Sequence, residues 1–582
     1  MTRRTATRVL FALALAAGVL AAVLAVIGGF STRIAGIRLS ARGAIRPFLV
    51  ALFAGSIALR LLPEDERARL VTRAACLGPR LARWAAAIAT AVVLAVGIAC
   101  GTRSAGGSDS YGYVSQSQLW LQGNLHIHQD FAAAAPWPEA DWTFSPLGYK
   151  PADNHTIVPT YAPGLPVMMA AFSKVAGPCG PFLVTPICAA LTVAFAYLLG
   201  ARLSGPLVGA VAAVLTATSP TFIFMSMWSM SDVPATAFWT AALVVAWRSR
   251  GITGAALAGI AAGIAIAIRP NLALLILFPG ASLLLAYPAR RVSRALMFLA
   301  GSVPFVVFVA LFNDALYGSP MRSGYGDTAS LFTLDNLAVN LTQFSSWLWQ
   351  TQGPLVFLCV LAPFVPHNRK PALVLLAFVA GVFACYALYT PFHAWWFLRF
   401  VLPAFPAIFV LAAHAVWRGL ARFDLRLRLV AMLVFTLVCM DWGVRVSKRE
   451  HVLDLGEGEQ KYADVGRFIA RELPWDAVVI AIGHSGSVRS YGGRLTLRYD
   501  WLDAAWLDRA VAYFRSTGRT TYLVLEAPEI AEFREKFGGQ QSVAALDRPA
   551  IATHPRGVYL YAIDASAATG APRVIPRTSG CE

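Results

Sequence analysis

The sequence predicts an all-α polytopic membrane protein of about thirteen transmembrane helices, followed by a soluble α/β domain. Three observations predict it. Of the 582 residues, 57% are hydrophobic and only 14% are charged, where a soluble domain would carry about a quarter charged residues. Apolar runs near the 20-residue length of a bilayer-crossing helix recur from the N-terminus to about residue 446. After Ser447 the pattern changes to short amphipathic helices alternating with apolar strands.

The first apolar run, Val9 to Phe30, follows Arg3, Arg4 and Arg8. It is long for a signal-peptide core, and further spans follow it, so it reads as a membrane helix. Spans are expected near 9–30, 44–62, 83–101, 180–201, 206–223, 232–248, 252–269, 271–288, 294–313, 353–366, 371–391, 396–417 and 429–446. Three units result. Residues 1–82 form a transmembrane hairpin with a cytoplasmic loop, 83–447 a transmembrane core, and 448–582 an extracytoplasmic α/β domain.

Basic residues set the orientation. With the N-terminus in the cytoplasm, Arg202, Arg248, Arg250, Arg290, Arg291, Arg294, Arg369, Lys370, Arg418, Arg422, Arg426 and Arg428 all fall inside, as the positive-inside rule requires. Arg33, Arg38, Arg42 and Arg46 fall outside against the rule, yet inverting the chain would break many more loops. The net charge of +18 is thus a topology signal and does not point to nucleic acid. Eight cysteines are scattered, without a CxxC pair or His/Cys cluster. Neither a metal site nor a disulfide framework is expected.

Three polar regions then face outward: 102–179, 314–352 and the tail. In the tail, a helix near 459–472 leads to the strand Val478–Ile482. A second helix near 503–516 leads to Tyr522–Leu525, and a final strand covers Val558–Tyr561. This alternation favours a small parallel or mixed sheet covered by helices.

Candidate chemistry lies on the outer side. Asp109 stands in the polar stretch Gly106–Tyr113, directly after an apolar run ending at Cys100. It fits a catalytic carboxylate, and Ser108-Asp109 equally fits a helix N-cap. Asp232, in Met230-Ser231-Asp232-Val233-Pro234, opens a span and also fits a cap followed by an early proline. Arg269, between two apolar runs, and Arg399, within Trp395–Phe400, suit phosphate oxygens. Snorkelling within an aromatic belt is the structural counterpart. The first outer loop adds Tyr111, Tyr113, Lys150, His155 and Tyr161 as candidate substrate-loop residues. His126 and His128 make a poor helical pair at i, i+2, with no clear third ligand. Asn154-His155-Thr156 matches a glycosylation acceptor pattern, one short enough to arise by chance.

Four stretches together resemble the GT-C superfamily of polyprenyl-phosphate-dependent glycosyltransferases, which includes protein O-mannosyltransferases and aminoarabinose transferases. They are Asp109 with Tyr111, Tyr113 and the helix through Leu119–Gly123; Tyr161-Ala162-Pro163-Gly164-Leu165-Pro166; Ser231-Asp232-Val233-Pro234; and Arg399-Phe400-Val401-Leu402-Pro403-Ala404-Phe405-Pro406. Asn313–Pro320 also resembles a loop of bacterial members. The likeness covers roughly residues 80–420. It departs from the family where Asp109 is followed by Ser110 rather than a second acid, and where three expected spans, not one, precede the outer loop.

The resemblance implies a GT-C fold in a bacterial inner membrane and a sugar donor carried on polyprenyl phosphate. The acceptor is a glycan, lipid or protein. No cofactor is implied beyond the donor, although a divalent cation would be compatible. Asp109 is implied as the base. Asp232 would orient sugar or acceptor, or help hold a cation, and Arg269 and Arg399 would be phosphate partners. Two other classes compete. A transporter or flippase of a lipid-linked sugar would favour ionisable groups at mid-bilayer and repeated halves, neither of which appears. A membrane scaffold leaves the first outer loop unexplained.

Overall fold

The computed structural model describes residues 3–581 apart from 28–29, 35–36, 42–44, 287–289, 327–330, 564–570 and 579. Helices dominate up to Arg449, and a mixed sheet follows. The N-terminal hairpin pairs helices Arg3–Ile27 and Ile45–Leu61. They are joined by the antiparallel strands β1 (Phe30–Ile34) and β2 (Ile37–Ala41), in which Arg33 is the register partner of Arg38. Of the four arginines at odds with the topology, Arg42 lies outside the described residues.

Among the described residues, six helices are long and apolar enough to cross a membrane. A seventh arises if the bent pair Pro206–Thr218 and Pro220–Ser226 is one span. That pair, expected as one span near 206–223, turns by 65°, with the Ser219 hydroxyl capping the second helix by accepting from the Phe222 amide. Five shorter apolar helices, among them Ile252–Ile268, Pro270–Leu285 and Pro354–Phe364, occupy other expected spans.

Burial separates inner from outer helices. The most apolar window of the Trp395–Gly419 span is 89% buried, whereas those of Leu77–Ala99 and Arg291–Tyr317 are 22% buried. The outer helices instead expose apolar stripes. Leu81, Trp84, Ile88 and Val92 recur at helical spacing on one, and Val292, Leu296, Leu299 and Val303 on the other. A stripe of this kind suits contact with acyl chains, because lipid imposes no cost on it. The fold is that of a multi-pass membrane protein.

The region 102–179, expected from the sequence to be the first outer region, carries regular secondary structure. Strands β3 (Ile127–His128), β4 (Tyr149–Ala152) and β5 (Thr156–Pro159) form an antiparallel sheet in the order β3-β5-β4. The tail forms a six-stranded sheet in the order β11-β9-β10-β8-β6-β7. Its strands are β6 (Val478–Ile480), β7 (Leu495–Leu497), β8 (Thr521–Glu526), β9 (Ala552–His554), β10 (Val558–Ala562) and β11 (Arg573–Val574). β6 runs parallel to β7 and β8, and β10 antiparallel to β8. The strand period of two divides the core. Val478, Ile480, Leu523 and Leu525 pack on one face, while Val479, Val524 and Leu560 pack on the other.

The first face is completed from outside the tail. Ala132, Trp137 and Phe144 of the first outer region join its core. The Arg498 amide donates to the Thr143 carbonyl at 2.6 Å and the Leu147 amide to the Ser485 hydroxyl at 3.2 Å. The two outer regions therefore share one hydrophobic core. A disulfide adds to this: Cys179, at the corner before helix Gly180–Ser204, is bonded to Cys581 with Cα atoms 5.2 Å apart. It corrects the expectation that the cysteines indicate no disulfide. Two cysteines 402 residues apart carry no local spacing signal, since only the tertiary fold brings them together.

Candidate active site

Four charged side chains meet where two apolar segments break. Arg269 caps helix Ile252–Ile268 and precedes the 3₁₀ segment Pro270–Ile276. Arg399 lies within the 3₁₀ segment Trp395–Ala404. Pro270 and Pro403 each lack the amide hydrogen an α-helix uses, and mid-helix 3₁₀ backbone often marks functional positions. Asp109 begins helix Asp109–Gln122, and Asp232 begins helix Asp232–Arg248.

The charges alternate. Arg399 Nη2 is 2.8 Å from Asp109 Oδ2, and its Nη1 is 4.0 Å from Asp232 Oδ2. Arg269 Nη2 is 2.9 Å from Asp232 Oδ1. Exposure differs along the chain of charges: the Asp232 side chain is 1% exposed and that of Asp109 30%. Asp109 is thus the carboxylate open to an incoming molecule, and Asp232 the one held inside. Although the Arg269–Asp232 contact is close, neither Asp232 oxygen receives an aligned hydrogen bond among the described residues, and Arg399 Nε has no acceptor. The cluster is neutral as a whole but retains unused hydrogen-bonding capacity.

Tyrosine and serine hydroxyls hold it in place. Tyr161 donates to Asp109 Oδ1 at 2.7 Å, and its hydroxyl is 2.7 Å from Ser108 Oγ. Tyr113 donates to Ser231 Oγ at 2.9 Å, which also accepts from Arg269 Nε at 2.9 Å. Arg269 Nη1 donates to the Tyr386 hydroxyl at 3.0 Å. The alternative reading of Ser108-Asp109 and Asp232 as N-caps is corrected here. Ser108 and Ser231 occupy the N-cap positions, and neither makes a side-chain cap bond. Their hydroxyls face the ionic cluster instead. Burial disfavours the charged form of Asp109, but Arg399 and the Tyr161 hydrogen bond outweigh it and hold its carboxyl below the usual carboxylate range.

Gly164 explains how the elements come this close. A Cβ there would lie 2.5 Å from the Ala267 carbonyl carbon and the Ile268 nitrogen, directly before Arg269. The glycine of Tyr161-Ala162-Pro163-Gly164 lets that stretch press against the helix end carrying the arginine. Gly164→Ala is expected to cost about 1–3 kcal/mol of stability through overpacking and to displace Arg269. Thermal unfolding of the purified variant checks this; an unchanged melting temperature would refute it.

The tail contacts the segment leading into Asp109. Ser104 Oγ donates to the Glu459 carbonyl at 2.9 Å, and the Ala105 amide to the Tyr491 hydroxyl at 2.9 Å. The Tyr462 ring fills the space beside Gly106, where a Cβ would meet it at 1.9 Å. Sequence reasoning did not anticipate Tyr386, Tyr462 or Tyr491 at this site, because each is a single tyrosine in otherwise ordinary apolar or amphipathic sequence.

Of the other candidates, Tyr111 packs against Gly486 of the tail and faces away from Asp109. Lys150 lies over the Tyr317 ring at 5.5 Å. His155 is an exposed hairpin residue 3.0 Å from Asp141 Oδ1. The geometry brings neither Lys150 nor His155 into the charge cluster. His126 and His128 are exposed. No group of three or more metal-ligating side chains occurs among the described residues. Asp109 and Asp232 are each already compensated by an arginine, so this cluster does not fit a divalent cation as it stands.

A protein-family profile described as dolichyl-phosphate-mannose-protein mannosyltransferase matches residues 160–312, which include Tyr161, Asp232 and Arg269. Two solved structures of ArnT from Cupriavidus metallidurans superpose with a TM-score of 0.50 at 12% identity. One is bound to undecaprenyl phosphate and covers 82% of this chain and 98% of its own; the other is the apo state, covering 82% and 97%. The chain has the fold of ArnT, the GT-C fold. The oligosaccharyltransferase of Archaeoglobus fulgidus, in complex with zinc and sulfate, aligns at 13% identity with a TM-score of 0.48, covering 81% of this chain and 73% of its own. A search of curated protein sequences found no match. Within the GT-C fold of this chain, the charge cluster lies beside the first outer region, and its two arginines come from broken apolar segments.

Proposed function

We propose that the protein is a membrane glycosyltransferase. It moves a sugar from a polyprenyl-phosphate donor to an acceptor hydroxyl on the extracytoplasmic face, with inversion and with Asp109 as base. The observation that carries this reading is the alternating cluster Asp109–Arg399–Asp232–Arg269, with one carboxylate open and one buried. The GT-C fold and the lipid phosphate bound by ArnT support the donor class. The Cys179–Cys581 disulfide supports the extracytoplasmic side, because disulfides persist in oxidising compartments.

The step balances as follows. The acceptor oxygen attacks the anomeric carbon as its proton passes to Asp109. The bond from that carbon to the phosphate oxygen breaks, and the electron pair leaves with polyprenyl phosphate. Arg399 and Arg269 receive the developing phosphate charge. Because Arg399 rests on Asp109, an arriving phosphate competes for the same guanidinium. As that interaction weakens, Asp109 gains proton affinity when a base is needed. Asp232, buried between Arg269 and Arg399, acts by orienting those two cations toward the phosphate.

The test is transfer by the full-length protein in proteoliposomes supplied with labelled polyprenyl-phosphate sugars. Release of polyprenyl phosphate together with a labelled acceptor is expected. Movement of intact donor across the bilayer, with no bond cleaved, would sink the proposal in favour of a flippase.

A further inference from the structure

A cavity lies across helix Asp109–Gln122 from the charge cluster. At 100° per residue, Asp109, Tyr113 and Gln116 share one side of this helix, and the first two belong to the cluster. Tyr111, Val114, Ser115 and Gln118 share the opposite side and line a cavity of about 440 Å³, within the range of small-ligand pockets. Its remaining walls are the Ser173–Phe182 corner and Ser490–Tyr491 of the tail, and Cys581 reaches it through the disulfide to Cys179. Three distant parts of the chain are thus fixed around one space.

The lining chemistry is selective. Among the described residues its lining contains no charged side chain, so a phosphate or carboxylate entering it would lose hydration without gaining a cation from them. The polar groups are hydroxyls and one amide. Ser115 donates to the Tyr111 carbonyl at 2.7 Å and already accepts from the Tyr149 hydroxyl at 2.8 Å, whereas Ser173 donates to the Met169 carbonyl at 3.0 Å and keeps its oxygen lone pairs as acceptors. Gln118 is exposed and can both donate and accept. Leu121, Pro181 and Phe182 supply apolar surface beside these groups. Hydroxyl and amide partners next to apolar surface match a ligand with many hydroxyls and a C–H face.

We propose that this cavity is a distal saccharide subsite, which binds a neutral sugar unit of the acceptor glycan away from the reacting hydroxyl. The choice of a sugar as ligand rests on the glycosyltransferase reading, but its binding can be measured without any transfer. The intervening helix separates the bound unit from Asp109, so the subsite serves an acceptor of several units. A single-sugar acceptor would not reach both places.

The experiment uses the full-length protein in nanodiscs. Saturation-transfer NMR is recorded with methyl glycosides and disaccharides of neutral hexoses and pentoses, and with inorganic phosphate and decanoate as contrasting probes. Neutral disaccharides are expected to bind the wild type and Asp109→Asn alike. Gln118→Ala, which removes one hydrogen-bonding group, and Leu121→Trp, which fills the open rim, should each weaken binding about tenfold with thermal unfolding unchanged. Absence of saccharide binding, binding unaffected by both variants, or preference for decanoate or phosphate would overturn the subsite. Transfer assayed on the same samples separates the two proposals. Saccharide binding without transfer sinks the enzymatic reading alone, while transfer with variant-insensitive binding sinks the subsite alone.

Discussion

Asp109→Asn is expected to lower sugar transfer by about 10²–10⁴-fold, the usual contribution of a positioned general base, while polyprenyl phosphate still binds. The amide keeps the shape of the carboxylate but cannot take the acceptor proton. It also releases Arg399 from its 2.8 Å pairing, so affinity for the lipid phosphate should hold or rise. Full transfer by the variant would remove Asp109 from the base role. The pH dependence gives a finer test. With its pKa lowered, Asp109 stays ionised as pH falls through the ordinary carboxylate range of about 4. Activity limited by the free enzyme is therefore lost only below that range. If the donor phosphate draws Arg399 away, the acid limb of kcat lies at higher pH than that of kcat/KM. Tyr161→Phe removes a hydrogen bond that favours the charged form and should shift the kcat/KM limb upward. Coincident limbs in the wild type would exclude competition for Arg399.

Asp232→Ala is expected to destabilise the protein by about 3–5 kcal/mol, the cost of leaving a buried ion without its partner. Asp232 is almost fully buried and Arg269 is 12% exposed, so water cannot replace the lost carboxylate. Ser231 and Tyr386 would still hold the guanidinium, but neither carries charge. A double variant, Asp232→Ala with Arg269→Met, removes both charges and should recover much of the loss. Thermal unfolding of the single and double variants measures their coupling. A double variant as unstable as the sum of the two singles would show that the pair is not the source of the effect.

The sequence made some of this site legible. Asp232 and Arg269 stand at the ends of apolar runs, where an ionisable residue costs less than at mid-bilayer, so each alone is a weak signal. The basic loops put them on one side of the membrane with Asp109 and Arg399. What linear spacing could not reveal was which acid meets which arginine. That depends on two breaks in helices more than a hundred residues apart, and on Gly164 permitting backbone contact. The four ions therefore read as separate roles, with the arginines awaiting phosphate, whereas the fold joins them in one neutral chain of charge. The tail was legible in β6, β8 and β10, because each lies in a continuous run of apolar residues. Strand β7 and helix Ser485–Gly492 were not, since Leu495-Thr496-Leu497 is flanked by Arg494 and Arg498 and a short polar helix gives no periodic signal.

The disulfide also constrains the order of assembly. Cys581 can find Cys179 only once the intervening helices are inserted and the tail lies on the same side of the membrane as the corner at Cys179. Until then the corner and tail that enclose the distal cavity are not covalently joined. Formation of this one bond thus marks a completed topology, and a chain with a misoriented span would be recognisable by two unpaired thiols left on opposite sides of the membrane.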